Sequence, residues 1–284
     1  MPGTTLVIGA TGRVGGHVVK LLLEKNETVR AAARAPLSRT LSDPTEMVEF
    51  DFDQPQSFVS ALKGAHKVFL IARPGDNQSD RAAMPLIDEA KKQGIRLIVN
   101  LTAMGVEQDE TFMLRVLEKY VEASGIPFVH LRPNWFMQNF DSGPMFADIR
   151  ATGAIHLPAG DAQLSFVDVR DVAAVACAAL THPSHEGNAY TLTGAEALSH
   201  FEVVERISKV AGKTISYAPI TEEMARKGLS ARGVPSGYIE RWADFFSKVR
   251  LGLCAPVSGD LESVLGRPPI LFDRYVEDYA DSWR

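Results

Sequence analysis

Through the first half of the chain, short runs of consecutive apolar residues alternate with longer stretches whose apolar positions recur every three or four residues. Runs at 5–8, 27–34, 47–52, 67–72, 96–102 and 128–132 lack the polar alternation of a half-exposed strand, so they predict strands covered on both faces. The stretches at 14–24, 56–62, 80–93 and 112–123 carry helical periodicity. Strands alternating with helices predict an α/β fold, a doubly wound parallel sheet that binds ligands at its carboxyl edge, near the switch point of strand order. After Pro133 the pattern changes. Residues 134–159 are rich in Phe, Met, Gly and Pro without clear alternation. Residues 164–180 read as a strand, an N-capping Asp171 and an Ala-rich helix; 188–193 and 201–211 read as a further strand and helix. Residues 221–250 are amphipathic and aromatic, broken at 233–235. The expected organisation is a main domain over 1–155, with 164–193 folding back onto it. A smaller C-terminal α+β lobe, mainly 156–284, would then face the substrate.

The first strand runs straight into Gly9-Ala10-Thr11-Gly12-Arg13-Val14-Gly15 and a helix. This spacing suits a dinucleotide: the first glycine permits the tight turn, and the second lets backbone approach a pyrophosphate. The third allows close packing of helix on sheet, and the helix N-terminus offers unpaired N–H groups. A tight turn without a ligand is the alternative. The acid expected about 20 residues further on, which would bind a ribose hydroxyl, is missing. The sequence there reads Val29-Arg30-Ala31-Ala32-Ala33-Arg34. Arg34, helped by Arg13 or Arg39, can clamp a 2′-phosphate, which favours NADP (as NADPH) over NAD; a solvated strand-end arginine is the bland alternative. Asp51 and Phe52, ending the third strand, can contact adenine, although Asp51 equally suits the start of a turn.

Composition narrows the classes. The chain of 284 residues has 45% hydrophobic and 23% charged residues and a formal net charge of −5, which argues against nucleic acid as the main partner. No apolar run reaches the ~18 residues of a membrane span, and the start lacks a signal-peptide pattern. Cys177 and Cys254 have no metal-ligand spacing; together these features lead to the expectation of a cytoplasmic protein without a membrane partner or bound metal.

Taken with Ser124-Gly125-Ile126-Pro127, Leu131-Arg132-Pro133-Asn134-Trp135-Phe136-Met137-Gln138-Asn139, Phe166-Val167-Asp168-Val169-Arg170-Asp171 and Leu265-Gly266-Arg267-Pro268-Pro269, these motifs resemble the NmrA-like atypical short-chain dehydrogenase/reductase family along nearly the whole chain. Its nearest enzymes are triphenylmethane-dye reductases and NADPH-quinone reductases. The resemblance implies a Rossmann domain, a small second lobe and a cleft between them. It places Gly9, Thr11, Gly12, Arg13 and Val14 on the pyrophosphate, Arg34 on the adenosine phosphate, and Ala72 and Arg73 along the ribose. Thr102, Ala103 and Met104 would flank the nicotinamide, and Pro133 to Phe136 would close over its amide. Met104, Trp135, Phe136, Asn139, Tyr238 and Trp242 are the candidate substrate residues, and the aromatic ones among them are flat and apolar like a conjugated substrate.

One departure stands out. No tyrosine has a lysine four positions later: Tyr120 is followed by Ser124, and Tyr238 by Trp242. Where family enzymes carry Lys or His, ten residues before the Ser-Gly, this chain has Leu114. Alcohol–ketone chemistry, which needs such an acid or base, is therefore in doubt. An electron-poor acceptor can take hydride without one, and no catalytic side chain is assigned. His130 and His156 remain as acid–base candidates, although a histidine inside a strand is more often structural than catalytic. Two functions follow: an oxidoreductase delivering hydride from NADPH to a planar conjugated electrophile (quinone, dye or imine), or a non-catalytic NAD(P) sensor acting through a protein partner.

Overall fold

The computed structural model describes residues 3–34, 45–73 and 78–284. In chain order the elements are β1 (Thr4–Ile8), α1 (Arg13–Glu24), β2 (Val29–Ala33), β3 (Glu46–Glu49), α2 (Gln56–Leu62), β4 (Ala65–Ile71), α3 (Ser79–Lys92), β5 (Leu97–Leu101), α4 (Met113–Ser124) and β6 (Phe128–Pro133). There follow α5 (Pro144–Thr152), β7 (Ala154–Leu157), β8 (Gln163–Leu164), α6 (Val169–Thr181), β9 (Ala189–Leu192), β10 (Leu198–Ser199) and α7 (His200–Ala211). The chain ends with β11 (Ser216–Pro219), α8 (Glu222–Ala231), α9 (Ser236–Arg250), α10 (Asp260–Leu265) and α11 (Phe272–Asp278). Among the described residues no helix is long and apolar enough to cross a membrane.

Two compact units emerge, one of residues 1–133, 169–192 and 263–266, the other of 134–168, 193–262 and 267–284. The first holds a seven-stranded sheet in the order β3-β2-β1-β4-β5-β6-β9. Every pairing in it is parallel. Strand order reverses between β1 and β4, so the expected doubly wound α/β sheet is present, with its switch point at the end of β1. Period-two alternation sends Leu6, Ile8, Val68, Leu70 and Ile98 into a core shared with α2, α3 and α4. The opposite face meets α1 and α6, which pack on each other and bury Val18, Leu22, Val172 and Val175. Coverage of both faces explains why the central strands read as unbroken apolar runs.

The second unit is built on Phe140, Phe166, Phe246, Phe272, Tyr275 and Trp283, all fully buried or nearly so. The Trp283 indole donates to the Phe140 carbonyl at 2.7 Å. Two small ladders flank this core, β7 with β11 in parallel and β8 with β10 antiparallel. A capping box starts α7: Ser199 accepts from the Glu202 N–H while the Glu202 carboxylate accepts from that of Ser199.

Three expectations require correction. The stretch 134–159 is not irregular, since α5 starts on Pro144, stops at Gly153 in the left-handed region and leads directly into β7. Asp171 is not the cap of α6, because the helix begins two residues earlier and Asp171 lies buried in its first turn. The third strand ends at Glu49, before Asp51 and Phe52, because Asp51 opens a turn: its carboxylate accepts the Asp53 N–H at 3.0 Å.

Candidate functional site

At the switch point the glycine loop has the geometry of an anion cradle. Gly9 has φ 73°, and its carbonyl accepts the Gly12 N–H at 2.8 Å. Gly12 caps α1 in an extended conformation, with no side-chain cap bond and no acid in the first turn. The N–H groups of that turn therefore meet no carboxylate of their own helix, leaving the positive end of the helix dipole for an incoming anion. A Cβ at Gly15 would fall 2.2 Å from the Gly9 carbonyl oxygen, so this glycine is required by packing. At Gly12 the same test gives 3.1 Å. Gly12 and Arg13 are exposed and Thr11 is half-buried, whereas the Val14 side chain is buried and has only its backbone to offer.

Arg34 follows β2 and is exposed; Arg39 lies outside the described residues. Arg30, on the same strand, is engaged by Glu46 at 2.9 Å and the Ala61 carbonyl at 3.1 Å. Just past β4, Ala72 is buried and the Arg73 guanidinium bridges Asp53 at 2.9 Å and Asp51 at 3.7 Å. Phe52 packs edge-on against Phe50 with centroids 4.9 Å apart. The adenine-side candidates thus form a small folded corner in which Asp51 has both a turn and an ion partner.

Past β5 and β6 the backbone stays zipped: Thr102 donates to the Leu131 carbonyl at 2.8 Å, and Met104 to that of Pro133 at 2.9 Å. This brings Thr102, Ala103, Met104 and Pro133 together at the carboxyl edge. Behind them lies a group that the sequence reading missed. Glu118, on α4 and fully buried, accepts from Thr102 Oγ1 at 2.8 Å, from Arg132 Nε and Nη2 at 2.9 and 2.7 Å, and from Arg115 Nη1 at 3.0 Å. Burial alone would raise the Glu118 carboxyl, but the Arg132 and Thr102 hydrogen bonds and the nearby cations outweigh it and hold the group below the usual carboxylate range. The signal was a charged residue on the apolar stripe Leu114, Leu117 and Val121 of a helix. Glu118, Glu122 and His130 offer donor atoms within 4.8 Å of one another. Arg115 and Arg132 already balance these carboxylates, at 2.8 Å for Arg115 to Glu122, so the cluster forms an ion-pair network. His130 is buried beside it, 3.4 Å from Glu122, and burial pushes its imidazole below the ordinary value.

In the second unit Trp135 stacks on Phe245 with centroids 4.7 Å apart and planes 5° from parallel, while Trp242 leans on Phe246 at 4.4 Å. Phe136 is half-buried and bridges to Val167 by backbone pairing, and Asn139 is half-buried. Tyr238 stands 39% exposed with the Arg241 guanidinium 5.8 Å from its ring centre. His156 is bound through Nδ1 to Asp148 at 2.9 Å, a structural pairing. Burial raises the Cys177 thiol to about 11 and pushes Cys254 upward too, which makes both poor nucleophiles.

The profile of the NmrA-like family matches residues 1–249. NAD(P)H azoreductase of Xenophilus azovorans is 33% identical over 282 residues, covering 97% of each chain. A (4-alkanoyl-5-oxo-2,5-dihydrofuran-3-yl)methyl phosphate reductase of Streptomyces griseus is 33% identical over 285 residues, 98% of each chain. Among solved structures, triphenylmethane reductase of Citrobacter sp. superposes with a TM-score of 0.83 at 26% identity, covering 98% of this chain and 99% of the other. The family profile spans most of the chain and two relatives share a third of their residues with it from end to end; the protein belongs to the NmrA-like family.

Proposed function

We propose that the protein is an NADPH-dependent reductase that delivers hydride to a planar, conjugated electrophile such as an azo compound, a quinone or a cationic dye. The observation that carries this reading is the uncapped, acid-free start of α1 behind Gly9, Gly12 and Gly15 at the switch point, a cradle that fits a dinucleotide pyrophosphate. When bound, NADPH supplies the hydride. The chain's own residues bind and orient it: Thr11, Gly12 and Arg13 at the pyrophosphate, Arg34 at the 2′-phosphate, and Thr102, Ala103 and Pro133 toward the nicotinamide. Trp135 and Trp242 are the proposed apolar surface for a flat acceptor, with Tyr238 beside them; a flat ring held against such a face is oriented and kept from water.

Proton supply sets the acceptor class. Leu114 stands on α4 where the family resemblance implies a basic residue, and Glu118 is held ionised by two guanidiniums, so neither can act as an acid. An acceptor that delocalises the incoming charge can take its proton from water. Relatives named as azo and dye reductases act on molecules of this kind, which supports the reading. The test is NADPH oxidation against azo dyes, quinones and triphenylmethane dyes, with simple ketones as the control. Turnover on the conjugated set alone is expected. If NADPH binds but nothing is reduced, and a protein partner co-purifies only with the loaded form, the chain is a sensor and the proposal fails.

A further inference from the structure

The buried Glu118 carboxylate is saturated, with two hydrogen bonds to each oxygen from Thr102, Arg132 and Arg115. It gathers one residue from the end of β5, one from the end of β6 and one from its own helix. A buried ion pair contributes little net stability compared with apolar packing, so its presence here asks for a positional reason. The polarity of the Thr102 hydroxyl supplies one. An ionised carboxylate only accepts, and so does the nearby Leu131 carbonyl, 3.3 Å away. The single Thr102 proton must therefore point into the protein, and its oxygen can only accept from a ligand.

Resting on the cofactor reading above, we propose that Glu118 and Arg132 are positioning residues that fix Thr102 as a hydrogen-bond acceptor for the carboxamide NH2 of the nicotinamide. The pair thereby selects a ring that carries a donor at this edge and sets which way its amide faces. Neither residue touches the hydride or the acceptor. Glu118 acts through Thr102, and Arg132 acts by holding Glu118 charged.

The test needs no turnover. The affinity of NADP is compared with that of its 3-acetylpyridine analogue, whose acetyl group has the carboxamide's shape but no N–H donor. 2′,5′-ADP, which lacks the nicotinamide, serves as the control. The wild type should bind the acetyl analogue about tenfold more weakly than NADP, the size of one hydrogen bond. Thr102→Val and Glu118→Gln should bring the two affinities together while leaving 2′,5′-ADP binding unchanged. Thr102→Val keeps the ion pair intact, so it remains informative if Glu118→Gln fails to fold. No discrimination in the wild type, or discrimination that survives in Thr102→Val, overturns the proposal. A Thr102→Val protein that loses 2′,5′-ADP together with NADP indicates a purely structural role and overturns it too. A wild type that binds and discriminates but reduces no acceptor counts against the reductase alone.

Discussion

Replacing His200 by Phe should make the second unit less sensitive to acid. His200 opens α7 with no exposed surface, ringed by Tyr217, Phe166, Phe140 and Trp135 at centroid distances of 5.2 to 6.4 Å. Neither ring nitrogen has a hydrogen-bond partner among the described residues. Burial lowers its pKa from the ordinary 6.5 to about 4. Between those values the unfolded chain binds a proton that the folded chain refuses, so stability is intact above pH 6.5 and falls as pH drops toward 4. At 1.36 kcal/mol per unit the full loss is about 3 kcal/mol, of which about 2 kcal/mol is reached by pH 5. The assay is denaturant unfolding of wild type and His200→Phe at pH 8 and pH 5, followed by tryptophan fluorescence. All three tryptophans, Trp135, Trp242 and Trp283, lie in the second unit, so the signal reports that unit. Subtracting the two pH values cancels the fixed packing cost of the larger ring. A gain of about 2 kcal/mol for the mutant at pH 5 relative to pH 8 is expected; a difference that does not change with pH would refute the buried, neutral imidazole.

The cofactor site gives three more expectations. Gly15→Ala should unfold the loop itself, seen as loss of thermal stability without ligand, because its Cβ would meet the Gly9 carbonyl at 2.2 Å. Gly12→Val, with a milder 3.1 Å contact and an ordinary φ of −86°, should keep the circular dichroism yet abolish binding of both dinucleotides in a fluorescence titration. Arg34→Ala should weaken NADPH by roughly ten- to a hundredfold, about 1.5–3 kcal/mol for a charge-assisted contact, and leave NADH nearly unchanged; equal wild-type affinities would remove its assigned role. In the second unit, Tyr238→Ala should raise KM for a quinone more than it lowers kcat, as expected for stacking shared by ground and transition states, and its exposure means the fold should not suffer.

The parts legible in the sequence are those set by neighbours along the chain. The glycine loop could be read because the strand, turn and helix start lie within a dozen residues. β5 stood out because all five of its residues are buried. The helix α5 was missed because only Ile149 among its nine residues is buried, so it carries no apolar stripe. The third strand was read three residues too long because Phe50 and Phe52 continue its apolar character after Asp51 has already turned the chain. Glu118 was invisible for a different reason: its partners sit at positions 102 and 132 on two other elements, and only the register Leu101 to Leu131 brings them together. A lone charge on an apolar helix face is the trace such networks leave in a sequence.

The passages of the chain from one unit to the other bear on the order in which it can fold as it is made. On the sheet face opposite α2, α3 and α4, α1 packs on β1 and β2 while α6 packs on β4, β5 and β6, and α6 begins at Val169, after the first long passage through the second unit. A ribosome that has delivered everything up to Pro133 has produced the glycine loop and six of the seven strands, yet α1 still lacks the helix it packs against. The nascent sheet must wait with an apolar flank open until Thr181 has emerged, and its last strand, β9, comes later still. A break anywhere between residues 134 and 168 therefore strands the cofactor half in that incomplete state. Such a fragment exposes apolar surface and an unpaired β6 edge, which makes aggregation its expected fate.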